Sequence, residues 1–269
     1  MRARMQSLTP SLIPPSWPAT GPGALAGSGA RPWANAGSRF YFNHLWAPLA
    51  VFAGLSLLLI GLHGDLWLAD RVYAMEGHAW RLQSSYVTQD LLHAAGRQAS
   101  KDLWFALAST AAISMLLRPC RQWRRPLVYL LLATALSTAA VGLLKRWTNM
   151  DCPWDLLRYG GARDYYSLFM HRPSILGHAK CFPAGHASAG YAWVALYFFF
   201  LGTRPRWRWW GLGFALALGA VFGVAQQLRG AHFLSHDVWT LMICWLIALA
   251  LYLPMLGRHH ARLPEQGAP

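Results

Sequence analysis

Six long apolar runs, separated by more polar stretches, recur along the chain after residue 44. Each run is close to the roughly 20 residues that cross a bilayer as a helix. The second and fourth are shorter, and they reach that length only if flanking side chains such as Lys101 extend to the interface. The runs lie near Leu45–Leu62, Leu103–Leu117, Leu127–Leu144, Ala187–Leu201, Trp210–Gln226 and Val238–Leu256. The pattern predicts an all-α integral membrane bundle of about six transmembrane helices.

The two ends of the chain differ from this pattern. Residues 1–40 are rich in Pro, Gly, Ala and Ser, so they bury too little apolar surface to offset the entropy lost on ordering. Proline residues also interrupt every candidate apolar core of a secretory signal peptide. We therefore predict a disordered tail at residues 1–40, a membrane domain at residues 41–257 and a cytoplasmic tail at residues 258–269.

Composition agrees with a membrane protein. Charged residues make up 13% of the chain, whereas soluble domains average about 25%. The 15 tryptophans suit interfacial aromatic belts. The net charge of +14 raises the alternative of a nucleic-acid partner. However, the basic residues fall in short loops and not along one amphipathic face, so we expect membrane lipids as partners and no nucleic acid. No feature specifies an oligomeric state.

The distribution of arginine predicts the orientation. With six spans, the arginine-rich segments all lie on one side, which the positive-inside rule makes cytoplasmic. These residues are Arg2, Arg4, Arg31 and Arg39 in the tail, Arg118, Arg121, Arg124 and Arg125 after the second span, Arg204, Arg206 and Arg208 after the fourth, and Arg258 and Arg262 after the sixth. Both termini are then cytoplasmic, and the remaining loops face outward. The first of these, Asp65 to Asp102, has helical periodicity and is either a cap on the bundle or a substrate-entry lid.

Polar residues suited to phosphate chemistry precede two of the apolar runs. Lys145 opens the large outer loop, where its ammonium either contacts a phosphate oxygen or simply extends to the interface. Pro183-Ala184-Gly185-His186 leads into the fourth span. Small residues such as Gly185 at a helix start let backbone N–H groups approach an anion, and the helix dipole favours negative charge there. His186 would lie beside a phosphate bound in this way.

A denser cluster precedes the last run, where Arg229, His232, His236 and Asp237 fall within nine residues. Arginine offers a forked donor for phosphate, and an imidazole either attacks phosphorus or carries its proton. A carboxylate beside a histidine fixes the tautomer of that histidine and stabilises its cation. Ser235 is expected to cap the final helix. Such a group at the mouth of an apolar span favours a functional site over packing.

These stretches resemble the three motifs of the type 2 phosphatidic acid phosphatase superfamily, over roughly residues 45–256. The family motifs are Lys-x6-Arg-Pro, Pro-Ser-Gly-His and Ser-Arg-x5-His-x3-Asp. They are similar here to Lys145 through Pro153, Pro183 through His186, and Gln226 through Asp237. The resemblance implies that His232 attacks phosphorus and forms a phosphohistidine, while His186 protonates the leaving alcohol and then activates water. Lys145 and backbone N–H groups near Gly185 would hold the phosphoryl oxygens, with no metal and no cofactor.

Several positions depart from the family motifs. Cys152 stands in place of the first arginine, Ala184 in place of the serine, and Gln226 in place of the second arginine. Asp237 follows His232 by five residues instead of four, and His236 occupies the family position. Each lost donor to a transition-state oxyanion costs on the order of a hundredfold in rate, so compensation is needed. We expect it from Arg229 first; Arg146, Arg158, Arg163 and Arg172 are further candidates.

The cysteines suggest a separate structural hypothesis. Cys152 and Cys181 both fall in the large outer loop, where an oxidising periplasm permits a disulfide that joins the first motif to the second. Closing a loop of about 30 residues would contribute roughly 3 to 4 kcal/mol in the chain-entropy model. Cys120 and Cys244 are expected to stay free. The Cys and His spacings in this loop match no zinc site.

Taken together, the sequence predicts a multi-pass enzyme of a bacterial inner membrane that hydrolyses lipid phosphate monoesters or diphosphates at the outer leaflet. The alternatives are a lipid phosphotransferase, for example onto lipid A, and a catalytically inactive protein that binds or transports lipid phosphates. Phosphate release separates the enzyme from the other two. No motif in the chain recognises the lipid portion of the substrate.

Overall fold

The computed structural model describes residues 32–257, and the predicted tails at residues 1–31 and 258–269 lie outside them. The end of the predicted N-terminal tail belongs to the first helix. The helices are α1 (Pro32–Tyr41), α2 (Ala47–Ser56), α3 (Gly64–Met75), α4 (Gly96–Leu116), α5 (Arg121–Leu144), α6 (Ser188–Tyr191), α7 (Ala195–Thr203), α8 (Arg208–Leu228) and α9 (Leu234–Met255). π-helical turns join α1 to α2 and precede α4, and a 3-10 turn joins α6 to α7. The described residues contain no β-strand, only an isolated bridge between Leu156 and Arg163.

The prediction of an all-helical architecture is confirmed, but the count of six spans is not. Within residues 32–257, four helical segments are long and apolar enough to cross a membrane: Gly37–Gly61, Arg118–Leu144, Pro205–Leu228 and Leu234–Met255. The second predicted span falls in α4, whose first turns carry Arg97, Lys101 and Asp102. The fourth falls in Ser188–Thr203, a shorter apolar helix. These four segments indicate a membrane protein.

The chain divides into a unit at Met1–Arg39 and a unit at Phe40–Pro269, and the remaining description concerns the second unit. Its main buried core is formed by α5, α7 and α9 together with the short α6. Close packing joins α6 to α8, because a β-carbon on Gly190 would lie 2.4 Å from the backbone nitrogen of Gly219. Glycines at such a crossing let two helix backbones approach directly. Deep in the core, the Tyr129 hydroxyl donates to the Ala248 carbonyl at 3.0 Å.

A second, smaller cluster covers one end of this bundle. Its buried residues are Ala69, Leu156, Tyr159 and Phe233, with Trp80 packed against them. They come from the first outer loop, the large outer loop and the segment before α9. The loops named in the sequence analysis as outward-facing therefore form one continuous layer, and the first of them contains α3.

An ion-pair network organises the large loop. The Asp151 carboxylate accepts hydrogen bonds from Arg163 and from two nitrogens of Arg172, the latter at 2.6 and 2.9 Å. Arg172 also donates to the Asn149 side chain and to the Gly177 carbonyl. Burial alone would raise the pKa of Asp151, but the two guanidinium groups outweigh it and the pKa is lowered. Asp151 is thus an ionised, buried centre on which distant parts of the loop converge.

Candidate active site

The first and second motifs meet where Lys145 packs against Gly185. Lys145 directly follows α5, and a β-carbon built on Gly185 would lie 3.3 Å from its Nζ atom. A larger side chain at position 185 would therefore press on the ammonium group. Burial lowers the pKa of Lys145 from its ordinary value. The pair forms a confined cationic corner with the backbone of Gly185 beside it.

The third motif contributes two imidazoles in direct contact. His232 Nδ1 lies 3.2 Å from His236 Nδ1, so one of these nitrogens donates a hydrogen bond to the other. Both rings are buried, with 4% of His232 and none of His236 exposed. Burial lowers the pKa of His232 well below its ordinary value. The positive charges of His236, Lys145 and His186 lower this pKa further, whereas a hydrogen bond to the Cys181 backbone raises it. His232 is therefore a neutral imidazole at neutral pH, the form with a lone pair for nucleophilic attack.

His186 lies in the turn that precedes α6. Its backbone carbonyl accepts from the Ala189 N–H at 3.1 Å, which begins the helical turn. The backbone around it is tied to α9, because the Ala184 N–H donates to the His236 carbonyl at 3.3 Å. His186 is partly exposed, and it is close enough to act on the charge of His232. The structure thus brings Lys145, Gly185, His186, His232 and His236 together from three separate stretches.

Asp237 does not take the position that the sequence analysis gave it. Its Oδ2 atom accepts a hydrogen bond from Gln227 Nε2 at 2.5 Å. A β-carbon on Gly223 would lie 2.4 Å from the same oxygen, so the carboxylate is pressed against α8. The contact with the His232 ring is made by His236, because residues four apart at a helix start share a face and residues five apart do not. His236, and not Asp237, is therefore the group that orients His232.

Arg229 reaches across to the first outer loop. Its Nε atom donates to the Gln83 carbonyl at 2.8 Å, and Nη2 donates to the Gln89 side chain. A third donor, Nη1, lies 3.3 Å from Gln226 Oε1. Burial lowers the pKa of Arg229, and Asp90 opposes that effect. These hydrogen bonds hold the first outer loop against the third motif. In this structure Arg229 therefore has a structural role, which differs from the phosphate binding predicted for it.

Three of the other candidate arginines form ion pairs with acidic residues. Arg158 forms a bidentate pair with Asp70, with distances of 2.7 and 2.6 Å, at the exposed surface. Arg163 and Arg172 both bind Asp151, as described above. In this conformation these guanidinium groups are paired with carboxylates of the loop layer, and their contact with a phosphate stays a prediction. Arg146, beside Lys145, is exposed.

Two residues that the sequence analysis did not single out shape the site. The Asp65 carboxylate accepts from the Ser235 N–H at 2.9 Å, so Asp65 caps α9 in the role predicted for Ser235. Burial raises the pKa of Asp65 to about 6, against the hydrogen bonds from Ser235. An acid directly after the first apolar run was the available signal. Trp80 covers Gly230, where φ is +68° and an added β-carbon would lie 2.4 Å from the indole ring.

Cys152 and Cys181 are joined by a disulfide, with Cα atoms 5.3 Å apart, and Cys120 and Cys244 are free. The bridge adjoins the site on both sides, because the Cys181 carbonyl acts on His232 and the Trp154 N–H donates to the Gly230 carbonyl at 2.9 Å. Asp155 lies near both sulfurs, all within 4.8 Å. Since those sulfurs are bonded to each other, they are not available as thiolate ligands to a metal.

Comparison with protein-family models identifies a family for this chain. Residues 126–259 match the family model described as the PAP2 superfamily. That range includes Lys145, Gly185, His186, His232 and His236, and it covers about half of the chain. No curated protein and no solved structure matches the sequence.

Proposed function

The chain belongs to the PAP2 superfamily, and from that membership we propose that it is a membrane phosphatase that acts on lipid phosphate monoesters or diphosphates at the outer leaflet. The family supports phosphatase-type activity on phosphate esters. The observation that carries the proposal is the convergence of Lys145, His186 and His236 on the buried imidazole of His232. A nucleophile, a proton carrier and a cation for the phosphoryl oxygens are then present in one place.

The chemistry proceeds in two steps. With the proton of His232 on Nδ1 and donated to His236, the lone pair lies on Nε2, which attacks phosphorus. The P–N bond forms as the bond from phosphorus to the leaving oxygen breaks, and His186 supplies the proton to that oxygen. His186 then takes a proton from water, whose oxygen attacks the phosphohistidine and releases inorganic phosphate. Lys145 and the backbone at Gly185 stabilise the charge on the phosphoryl oxygens.

The proposed membrane arrangement has six spans, with α4 and the helical segment Ser188–Thr203 as the two shorter ones. Exposed apolar side chains on the bundle support contact with lipid; examples are Leu57, Phe105, Ile113, Trp210 and Val224. The arginine-rich ends at Arg118–Arg125 and Arg204–Arg208 support a cytoplasmic side, and the site then faces the periplasm of a bacterial inner membrane. A reporter fused to the C-terminus should be active only in its cytoplasmic form, and periplasmic activity would contradict this orientation.

The direct test of the function is phosphate release by the purified protein in detergent, with a lipid phosphate monoester, a lipid diphosphate and a lipid phosphodiester as substrates. The proposal expects release from the first two and none from the diester. Transfer of the labelled phosphoryl group to an added lipid acceptor, with little free phosphate, would instead identify a phosphotransferase. Binding without release or transfer would identify an inactive binding protein.

Lys145→Arg tests the role of the cation through the pH profile. Because burial lowers the pKa of Lys145, wild-type kcat/KM should fall on the alkaline side at a pH below the ordinary lysine value of about 10.4. The sign follows from the loss of the ammonium charge as pH rises through this lowered pKa. Arginine keeps its charge at high pH. The variant should therefore be less active than wild type, but its kcat/KM should no longer fall on the alkaline side. An unchanged alkaline limb in Lys145→Arg would remove Lys145 from this role.

A further inference from the structure

An open groove adjoins the site on the side of Gly185. Its volume is about 600 Å³, and it lies between the first half of α4, the second half of α5 and the start of the helical segment Ser188–Thr203. The lining includes Arg97, Lys101, Trp104, Thr138, Gly185 and Trp193. A cavity that touches His232 itself is far smaller, about 10 Å³. The groove is therefore a space beside Gly185 with room for the remainder of a substrate.

The groove extends from the phosphate corner into the bundle. At one end Gly185 packs against the ammonium of Lys145. Thr138 lines the groove seven residues before Lys145 on α5, a distance of about 10 Å along a helix axis. A molecule held in the groove with its reacting phosphate at Lys145 would therefore place its distal part between the helices.

The polarity of the lining changes along α4. Arg97 and Lys101 are one turn apart near the start of the helix, and Trp104 and Phe105 follow in the next turn. No ion pair found among the described residues involves Arg97 or Lys101. The nearest acid in sequence, Asp102, accepts a hydrogen bond from Gln98 at 2.9 Å. The groove is thus lined by cations near the start of α4 and by aromatic side chains one turn further along the helix.

This wall of the groove is held in a defined position. The Ser100 hydroxyl, between the two cations in sequence, donates to the Ala189 carbonyl at 2.7 Å. The Trp193 indole N–H in turn lies 3.3 Å from the Ser100 Oγ atom. These bonds fix α4 against the segment that carries Gly185 and His186. Arg97 and Lys101 are therefore presented beside the site by a fixed backbone, although their own side chains are exposed.

We propose that Arg97 and Lys101 form a subsite for a second phosphoryl group of the substrate, located between the phosphate that His232 attacks and the hydrocarbon chain. The inference rests on the proposed function and deepens it: the preferred substrate class is a lipid diphosphate. Two cations beside a third at Lys145 match two adjacent phosphates, and the aromatic side chains match the chain beyond them. The reaction consumes one water, breaks the bond from the terminal phosphorus to the bridging oxygen, and leaves a lipid monophosphate and inorganic phosphate.

The test compares kcat/KM for a polyprenyl diphosphate and for the monophosphate of the same chain. Wild-type protein should prefer the diphosphate. In the double variant Arg97→Gln with Lys101→Gln this preference should fall about tenfold, because two exposed ion pairs are lost, while the monophosphate rate stays within about twofold. Arg97→Lys with Lys101→Arg keeps both charges and should keep the preference. A double variant at Arg71 and Arg121, exposed residues that do not line the groove, is the matched control.

The outcomes separate this inference from the proposed function. If wild type releases phosphate from both lipids without preference, or if the Gln variant loses both rates equally, the subsite is disproved and the phosphatase stands. An equal effect of the Arg71 and Arg121 control would show general attraction of anionic micelles, and would also disprove it. If wild type releases phosphate from neither lipid, the proposed function itself fails.

Discussion

Replacing His232 with Ala should reduce phosphate release by at least about a thousandfold, because it removes the imidazole that forms the P–N bond. Replacing His236 with Ala should cost on the order of a hundredfold, because the nucleophile remains but loses the neighbour that sets its tautomer. The 3.2 Å contact between the two Nδ1 atoms is the basis for this difference. The measurement is single-turnover phosphate release from a lipid diphosphate by wild type and the two variants.

Two controls give this comparison its meaning. His178→Ala changes an exposed histidine of the large loop and should leave the rate unchanged. His236→Gln restores a side chain that accepts a hydrogen bond from His232, and part of the rate should return. If His236→Ala were inactive while His232→Ala kept measurable turnover, His236 would be the nucleophile and the assignment would be reversed.

Replacing Asp151 with Ala should lower the free energy of unfolding by about 3 to 5 kcal/mol, because it leaves buried Arg172 without its carboxylate partner. The side chains of both residues are almost fully buried, with 3% of Asp151 and 5% of Arg172 exposed. The measurement is thermal unfolding in detergent. Asp70→Ala is the matched control, since it breaks the pair with Arg158, whose exposed groups make a contribution of about 1 kcal/mol or less.

The Asp151 network also has a defined pH dependence. The folded-state pKa of Asp151 is lowered, so its stabilisation is present above the unfolded-state value of about 3.9. It is lost as pH falls through the folded-state value. The difference in stability between wild type and Asp151→Ala should therefore be constant near neutral pH and shrink only in acid. Equal destabilisation by Asp151→Ala and Asp70→Ala would show that burial of this pair has no consequence for stability.

The site residues that the sequence located well are those whose position follows from helix ends. Lys145 ends one apolar run, Gly185 and His186 precede another, and His232 and His236 precede the last. Side chains at the ends of neighbouring helices meet when those ends lie together in the bundle. The close contact between Gly190 of α6 and Gly219 of α8 holds two of these helices together. For that reason, the order of apolar and polar stretches was sufficient to anticipate which groups come together.

Side-chain partners within the outer layer did not follow from the sequence. Arg229, for example, donates hydrogen bonds to Gln83 and Gln89. These two residues lie about 140 positions before it in the sequence and belong to no recognisable motif. Asp237 was paired with a histidine because a carboxylate beside an imidazole is a familiar arrangement. One extra residue before Asp237 turns it toward Gln227 instead. Pairings that depend on helix rotation or on loop layers need the tertiary structure.

The sequence also predicted some transmembrane spans more clearly than others. The four segments with strong, uninterrupted hydropathy are helices of sufficient length in the structure. The ambiguous cases are the two runs that the sequence marks as short. In α4 the first turns are polar because Arg97, Ser100 and Lys101 line a groove beside the site. A length criterion alone counts such residues against a span, although they line a groove beside the site.

The most direct test of the account is to trap the phosphoenzyme. Wild-type protein would be mixed with a lipid diphosphate labelled with ³²P at the terminal phosphate, quenched with alkali within one turnover, digested and analysed by mass spectrometry. The account predicts an acid-labile phosphoryl group on His232 in wild-type protein and no such group in His232→Ala. A label on His236, or phosphate release with no labelled histidine in any variant, would contradict it.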